Sequence, residues 1–469
     1  MNAIERTGEV TPTWKKLSLF ALTWPILIDS VLRMMLGTAD VFMLSRISDG
    51  VAGAVGLSNE IIVFCILMFG FVGIGTSVAI TQYLGAGQKE TASRISALAI
   101  TLNLMFGLVV SLALFGFSEQ WMRMLNLDPS QIAVANTYLK FIGGFIWVEA
   151  ISNAVSSVIR ANGRTRDVMF VTLGVNLIHV TGNYLLIFGH MGFPEWGVTG
   201  AAVSTIVSRI IGVAVLLLLL YRRLPSPIRL KDYVRFDKRH VKRILGVGLP
   251  AAGEQIAWQS QYMMIMSFVN IIGQQALSAH IYVFNISLYF MASSTAIGIA
   301  TEIIVGHMVG AGEKKAAYFR LLKSLRISIA LTAVVVAVTS LFRFKLMGLF
   351  TDDPKIIAMG GAIFLLSIVL EPGRVFNIVV INSLRAAGDA KFPVLMGVFS
   401  MWGVCVPLAY WLGIHLHMGL LGIWIAFTVD EWLRGLIMLA RWKSGVWARK
   451  SFVHPAPAPQ EQPAPAIGA

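Results

Sequence analysis

Apolar residues in this chain come in runs of about twenty or more, enough to cross a hydrocarbon layer as a helix. The runs fall at 17–44, 53–84, 96–117, 132–159, 168–188 and 197–220, then at 244–271, 276–309, 325–342, 355–383, 393–414 and 419–441. Twelve spans are predicted, and the longer ones must tilt or bend. Stretches such as 210–220 are continuously apolar. That pattern does not fit the short alternating strands of a barrel. It fits helices, which satisfy their backbone groups inside each segment. The long polar and strongly basic stretch 221–243 separates the first six runs from the last six.

The two sets of six are copies. Pro25 matches Pro250, an offset of 225. Gly85-Ala86-Gly87 matches Gly310-Ala311-Gly312, and Arg160-Ala161-Asn162-Gly163 matches Arg385-Ala386-Ala387-Gly388, at the same offset. Gly73, Thr76, Lys89 and Ala92 find Gly298, Thr301, Lys314 and Ala317. Shared apolar composition explains matched Ala and Val but not a repeated Arg-Ala-x-Gly. After the fifth span the register slips, and Gly200 aligns with Gly422 at an offset of 222. An even number of spans per copy makes the repeats parallel, related by an axis along the membrane normal. The expected fold is an all-α polytopic membrane protein with twelve transmembrane helices in two pseudo-symmetric six-helix lobes. Its parts are a tail (1–16), an N-lobe (17–220), a basic linker (221–243), a C-lobe (244–443) and a disordered Pro/Ala-rich tail (444–469).

Composition sharpens this. Of 469 residues, 56% are hydrophobic and 13% charged, and the mean hydropathy is +0.73. A soluble domain carries about 25% charged residues. The net charge of +14 would raise nucleic acid as a partner of a soluble protein, but here the position of the charge explains it. With the N-terminus in the cytoplasm, 28 of the 38 Lys and Arg fall in cytoplasmic segments, 5 in outer loops and 5 within spans. This is the positive-inside pattern. It predicts a multi-pass protein of the cell membrane with both termini cytoplasmic and no nucleic-acid partner. Lys15 and Lys16 before an apolar run resemble a signal peptide. Without a small-residue cleavage site, the run reads as an uncleaved first span. Cys65 and Cys405 both lie in apolar runs and read as buried small residues.

Ionisable residues inside spans are costly in lipid and so mark function. The first span holds Asp29, Arg33 and Asp40 on a narrow arc of one helix face. Asp29 and Arg33 are i, i+4 neighbours and read either as a packing ion pair or as part of the transport site. Asp40 has no partner in its own helix, and a carboxylate in an apolar cavity can exchange a proton or hold a sodium ion. Glu254 is Asp29 plus 225, and Gln255, Trp258, Gln261 and Tyr262 follow it. An acid among aromatic and amide groups suits a cavity for organic cations. The tenth span offers Glu371, Arg374 and Asn377, with the acid and the Arg paired at i, i+3 across a Pro-Gly step. Asp430 and Arg434 form a similar pair, and Asn176, His179 and Asn183 line the fifth span.

Other signals fail on context. Gly70-x-x-Gly73-x-Gly75 lies inside an apolar span and reads as close helix packing. His415 and His417 have no Cys or acid at ligand spacing. The chain has no P-loop, HExxH or GxSxG.

Twelve spans in two repeats, Pro25 with Ala39-Asp40, the paired Gly-Ala-Gly motifs with Lys89 and Lys314, GLPAAGEQ at 248–255 and LRAAGD at 384–389 resemble the multidrug and toxic compound extrusion (MATE) family over about residues 17–441. The resemblance implies a V-shaped pair of lobes. It implies export of cationic or amphipathic compounds by sodium or proton antiport, with no cofactor beyond the coupling ion. It implies that Asp40 serves cation coupling, with any sodium ion bound there, and that Asn176 belongs to the same N-lobe site. Asn183 stands where one branch has Asp. Another branch carries C-lobe acids where this chain has Trp258 and Arg374, with Glu254 and Glu371 a turn away. Coupling through the N-lobe is therefore expected. The protein is expected to act as a monomer. Rival readings are a flippase for a lipid-linked precursor, a membrane-embedded enzyme, for which no nucleophile–base or metal set is found, and a channel.

Overall fold

The structure, a computed structural model, describes residues 17–124 and 129–453. The spans are α1 (Leu19–Ser45), α2 (Asp49–Gly85), α3 (Lys89–Gly116), α4 (Pro129–Gly144 and Ile146–Ala161), α5 (Thr165–Phe188) and α6 (Gly197–Arg223). The second set is α7 (Lys238–Ile272), α8 (Gln274–Gly310), α9 (Lys314–Leu341), α10 (Pro354–Ala386), α11 (Lys391–His415) and α12 (Gly419–Lys443). Among the described residues, nine helices are long and apolar enough to cross a membrane, and the α4 pair, bent by 44°, makes a tenth. Helices α7 and α12 are as long but carry more charge, such as the Asp430, Glu431 and Arg434 set on α12.

The break in α4 has a local cause. Beside the break, Ser111 Oγ donates to the Gly143 carbonyl at 2.9 Å and to that of Gly144. Gly143 is also where α3 packs too closely for a side chain, against Leu114. Pro25 and Pro250 sit inside α1 and α7 at matching points.

The loops richest in Lys and Arg share one end of the molecule, here called the basic end. In the half toward that end the two lobes share their cores. Leu22 and Ile26 of α1 pack with Ile297, Ile304 and Met308 of α8 and Val379 of α10. In the other half each lobe has its own core: Leu44, Ile62, Phe69 and Leu139 in one, Val269, Val283, Phe364 and Trp424 in the other. Among the described residues, every hydrogen bond between the lobes lies in the basic half. The molecule is a V, closed at its basic end.

Two expected boundaries move. Helix α6 runs to Arg223 and α7 starts at Lys238, so the linker narrows to 224–237. It docks on α3: Ser93 donates to the Ser226 carbonyl at 2.7 Å and Thr101 to that of Tyr233 at 2.8 Å. The expectation of a disordered tail fails for residues 444–453. Trp447 stacks on Trp442 with ring centroids 4.0 Å apart, and the Gln82 side-chain oxygen accepts from Phe452 N at 2.8 Å. Pro/Ala bias hid the two Trp that hold this segment. The expected N-terminal tail (1–16) and the rest of the expected C-terminal tail (454–469) lie outside the described residues.

Candidate functional site

Close approach of α2 and α8 makes the seam. A side chain at Gly85 would collide with the His307 carbonyl, and one at Gly310 with that of Gln82. These contacts are each other's image at offset 225. The same holds for two hydrogen bonds: Gln82 Nε2 donates to Ala386 O at 2.6 Å, and His307 Nε2 meets Ala161 O at 2.9 Å. Ser77 and Glu302, also 225 apart, face one another directly, with Ser77 Oγ donating to Glu302 Oε1 at 3.0 Å. The pseudo-two-fold axis therefore runs between α2 and α8.

Beside this axis, between the lobes, lies a cavity of about 450 Å³. Its wall includes Ser77, Asn153 and Arg160 from the N-lobe, and Glu254, Trp258, Glu302 and Arg385 from the C-lobe. Of the residues predicted for the site, Glu254, Gln255, Trp258, Arg374 and Asn377 line it. Gln261 and Tyr262 do not. Gln261 is buried, and Tyr262 stacks between Trp258 (5.8 Å) and Phe284 (4.8 Å). Glu371 is wholly buried behind the wall, where it accepts from Arg374 at 2.6 Å, the i, i+3 pair expected. Asn377 donates to Glu431 at 2.8 Å.

Each lobe then carries the same ion pair. Arg160 Nη2 reaches Asp29 at 2.5 Å, and Arg385 Nη2 reaches Glu254 at 2.5 Å. Asp29 also accepts from Thr172 at 2.5 Å, while Arg33 stands at 3.4 Å. Asp29 thus pairs with its expected helix neighbour Arg33 and also with the distant Arg160. Arg33 bridges to Glu149 at 3.4 Å, and Glu149 meets Arg209 at 3.6 Å. Arg434 holds Asp430 at 2.7 Å, and Ser400 donates to that acid at 2.6 Å.

Asp40 lies apart from the inter-lobe cavity, inside the N-lobe. Asn183 Nδ2 donates to its carboxylate at 2.7 Å, and His179 Nε2 is 3.5 Å away. His179 also meets Thr205 at 2.8 Å. Asn176 donates to the Leu32 carbonyl at 2.8 Å, which ties α5 to the middle of α1. The predicted Asp40, Asn176 and Asn183 therefore do share the α1–α5 face. The Oδ1 of the Asn183 amide has no hydrogen-bond partner; among the described residues no group of three or more His, Cys, Asp and Glu could hold a metal ion. Sequence reasoning missed Glu149, Glu302 and Glu431. All three are acids within apolar runs, the same signal that singled out Asp40.

The MatE family model matches residues 25–185 and 250–411, two blocks whose starts are one repeat apart. The chain belongs to the MatE family. It is 41% identical over 441 residues to an uncharacterized transporter, YisQ, of Bacillus subtilis (strain 168), covering 94% of this chain and 97% of the relative. It is 28% identical to a probable multidrug resistance protein NorM of Thermotoga maritima, covering 95% and 96%. A crystal structure of MATE in the bent conformation superposes with a TM-score of 0.85 at 19% identity, over 91% of this chain and 94% of that one. An outward-facing multidrug resistance MATE transporter of the MOP superfamily superposes with a TM-score of 0.84 at 19% identity, over 95% and 100%. This MatE protein is a multi-pass membrane transporter with the two-lobe MATE fold.

Proposed function

We propose that the protein is a cation-coupled antiporter that exports cationic or amphipathic organic compounds from the cytoplasm by alternating access, acting as a monomer in the cell membrane. The observation that carries this reading is a cavity between two pseudo-symmetric lobes that, among the described residues, are hydrogen-bonded to each other only on the basic side. The excess of Lys and Arg puts that side in the cytoplasm. The conformation is then outward-facing, and rocking of the lobes about a line in the membrane plane through the α2–α8 contact would expose the same wall to the cytoplasm. Trp258 offers an aromatic face and Glu254, Glu302 and Glu431 offer negative charge to an organic cation.

Asp40 is the coupling carboxylate in this reading, with Asn183 beside it for a proton or a sodium ion. The four arginines of the cavity wall are Arg160, Arg374, Arg385 and Arg434, and each is held by a carboxylate. They leave no free cationic groove for a lipid pyrophosphate, which favours drug export over the flippase reading. The test is dye efflux in inside-out vesicles, driven in turn by a sodium gradient and a pH gradient. One gradient should drive ethidium transport, and Asp40→Asn should abolish it with the protein still in the membrane. Full transport by that variant would refute the assignment.

A further inference from the structure

Glu302 stands on α8 at the floor of the cavity, 3% exposed, with one oxygen held by Ser77 of the opposite lobe. The other buried carboxylates of the two lobes' interior networks (Asp29, Glu149, Glu254, Glu371, Asp430 and Glu431) each lie within ion-pair distance of an arginine. Among the described residues Glu302 has no such partner. The charged groups that face its surroundings are already committed. From α4 comes Arg160, bound to Asp29 of α1; from α10 comes Arg385, bound to Glu254 of α7. His307, further along α8, is bonded to the Ala161 carbonyl. One serine hydroxyl does not offset the cost of an ionised carboxylate in so enclosed a place. The missing positive charge has to come from outside the protein, and the cavity gives it a route.

The position of Glu302 matters as much as its isolation. Ser77 and Glu302 are equivalent residues of the two repeats and meet at the pseudo-two-fold axis. The copies have diverged there, to a hydroxyl in one and an acid in the other. When the lobes part at the basic end, this contact is among those that must break. The carboxylate would then lose its serine donor and become open to the cytoplasmic side. A group reached from the outer cavity in one state and from the cytoplasm in the other meets the condition for carrying a coupled charge.

We propose that Glu302 is a second ion site, separate from Asp40, which binds one monovalent cation (a proton or a sodium ion) from the outer cavity and releases it on the cytoplasmic side. The direction of release rests on the antiport reading above; the binding does not. The full chain, purified in detergent, tests the binding. For a proton, infrared difference spectra across a neutral pH step should show a carboxylic-acid C=O band that Glu302→Gln loses and Asp40→Asn keeps. For sodium, radioactive sodium bound at fixed pH should fall by one ion per chain in Glu302→Gln and not in response to the pH step. Ser77→Ala keeps the acid but removes its donor, so it should move the same band or weaken the same sodium binding. If Glu302→Gln matches the wild type in both readouts, or if Ser77→Ala changes neither, the site is refuted. Wild-type protein that takes up the charge at Glu302 yet exports no ethidium would support the site and overturn the antiport reading alone.

Discussion

Asp29–Arg160 and Glu254–Arg385 do one job twice: each ties the body of a lobe's first helix to the end of a helix that leads to a loop at the basic end. Glu254 and Arg385 are only 13% and 12% exposed at their side chains, so removing one partner strands a poorly hydrated charge. Arg385→Ala should lower stability by about 2 kcal/mol, reduced from the fully buried case by cavity water. Adding Glu254→Gln should recover part of that loss, because the stranded charge is gone. Thermal unfolding of the purified variants measures both; a double variant no more stable than the single one would contradict the pairing. Asp40 is a different kind of residue. Its neighbours are a neutral amide and a histidine, and among the described residues no arginine lies within ion-pair distance of it.

At the scale of elements, the segment after α12 is a strap from the C-lobe to α2 of the N-lobe. Trp447 stacks on Trp442 and donates to its carbonyl at 2.8 Å, and Ser451 and Phe452 reach Gln82. Trp447→Ala should cost about 3 kcal/mol, as for a large buried aromatic. Limited proteolysis should then cut at the strap in the variant before it cuts the wild type. The bend in α4 is the second such case. Ser111→Ala leaves the carbonyls of Gly143 and Gly144 without their donor and should cost about 1 kcal/mol. An unchanged unfolding temperature would show that lipid or water satisfies them instead.

The two halves of the molecule meet on a seam in the basic half. Gly85 and Gly310 let the backbones of α2 and α8 touch. Gly310→Val acts as a wedge there, while leaving the separate outer cores alone. The expected result is a protein that reaches the membrane but cannot close its cytoplasmic side. A cysteine placed at Asn382 in the cavity wall, with Cys65 and Cys405 replaced, should be labelled faster from the cytoplasmic side in the wedged protein. Equal labelling would mean that the seam does not gate the cavity.

Sequence alone determined the spans, their number and the repeat, because lipid imposes a linear pattern that needs no partner to be read. The offset of 225 even pairs residues that the fold brings face to face, Ser77 with Glu302 and Thr81 with Gly306. Asp40 stood out because an acid in an apolar run is costly in lipid, and the fold sets it against Asn183 and His179. Tertiary structure decided which charges meet. Asp29 and Glu254 each find an arginine 131 residues onward, and helical periodicity reports only the face of a residue's own helix, so it pointed only to Arg33, which pairs with Asp29 as well. The order of the strap and the closed state of the V belong to the same class. They depend on contacts between elements far apart in the chain, where the rotation of each helix and the approach of the two backbones set the partner.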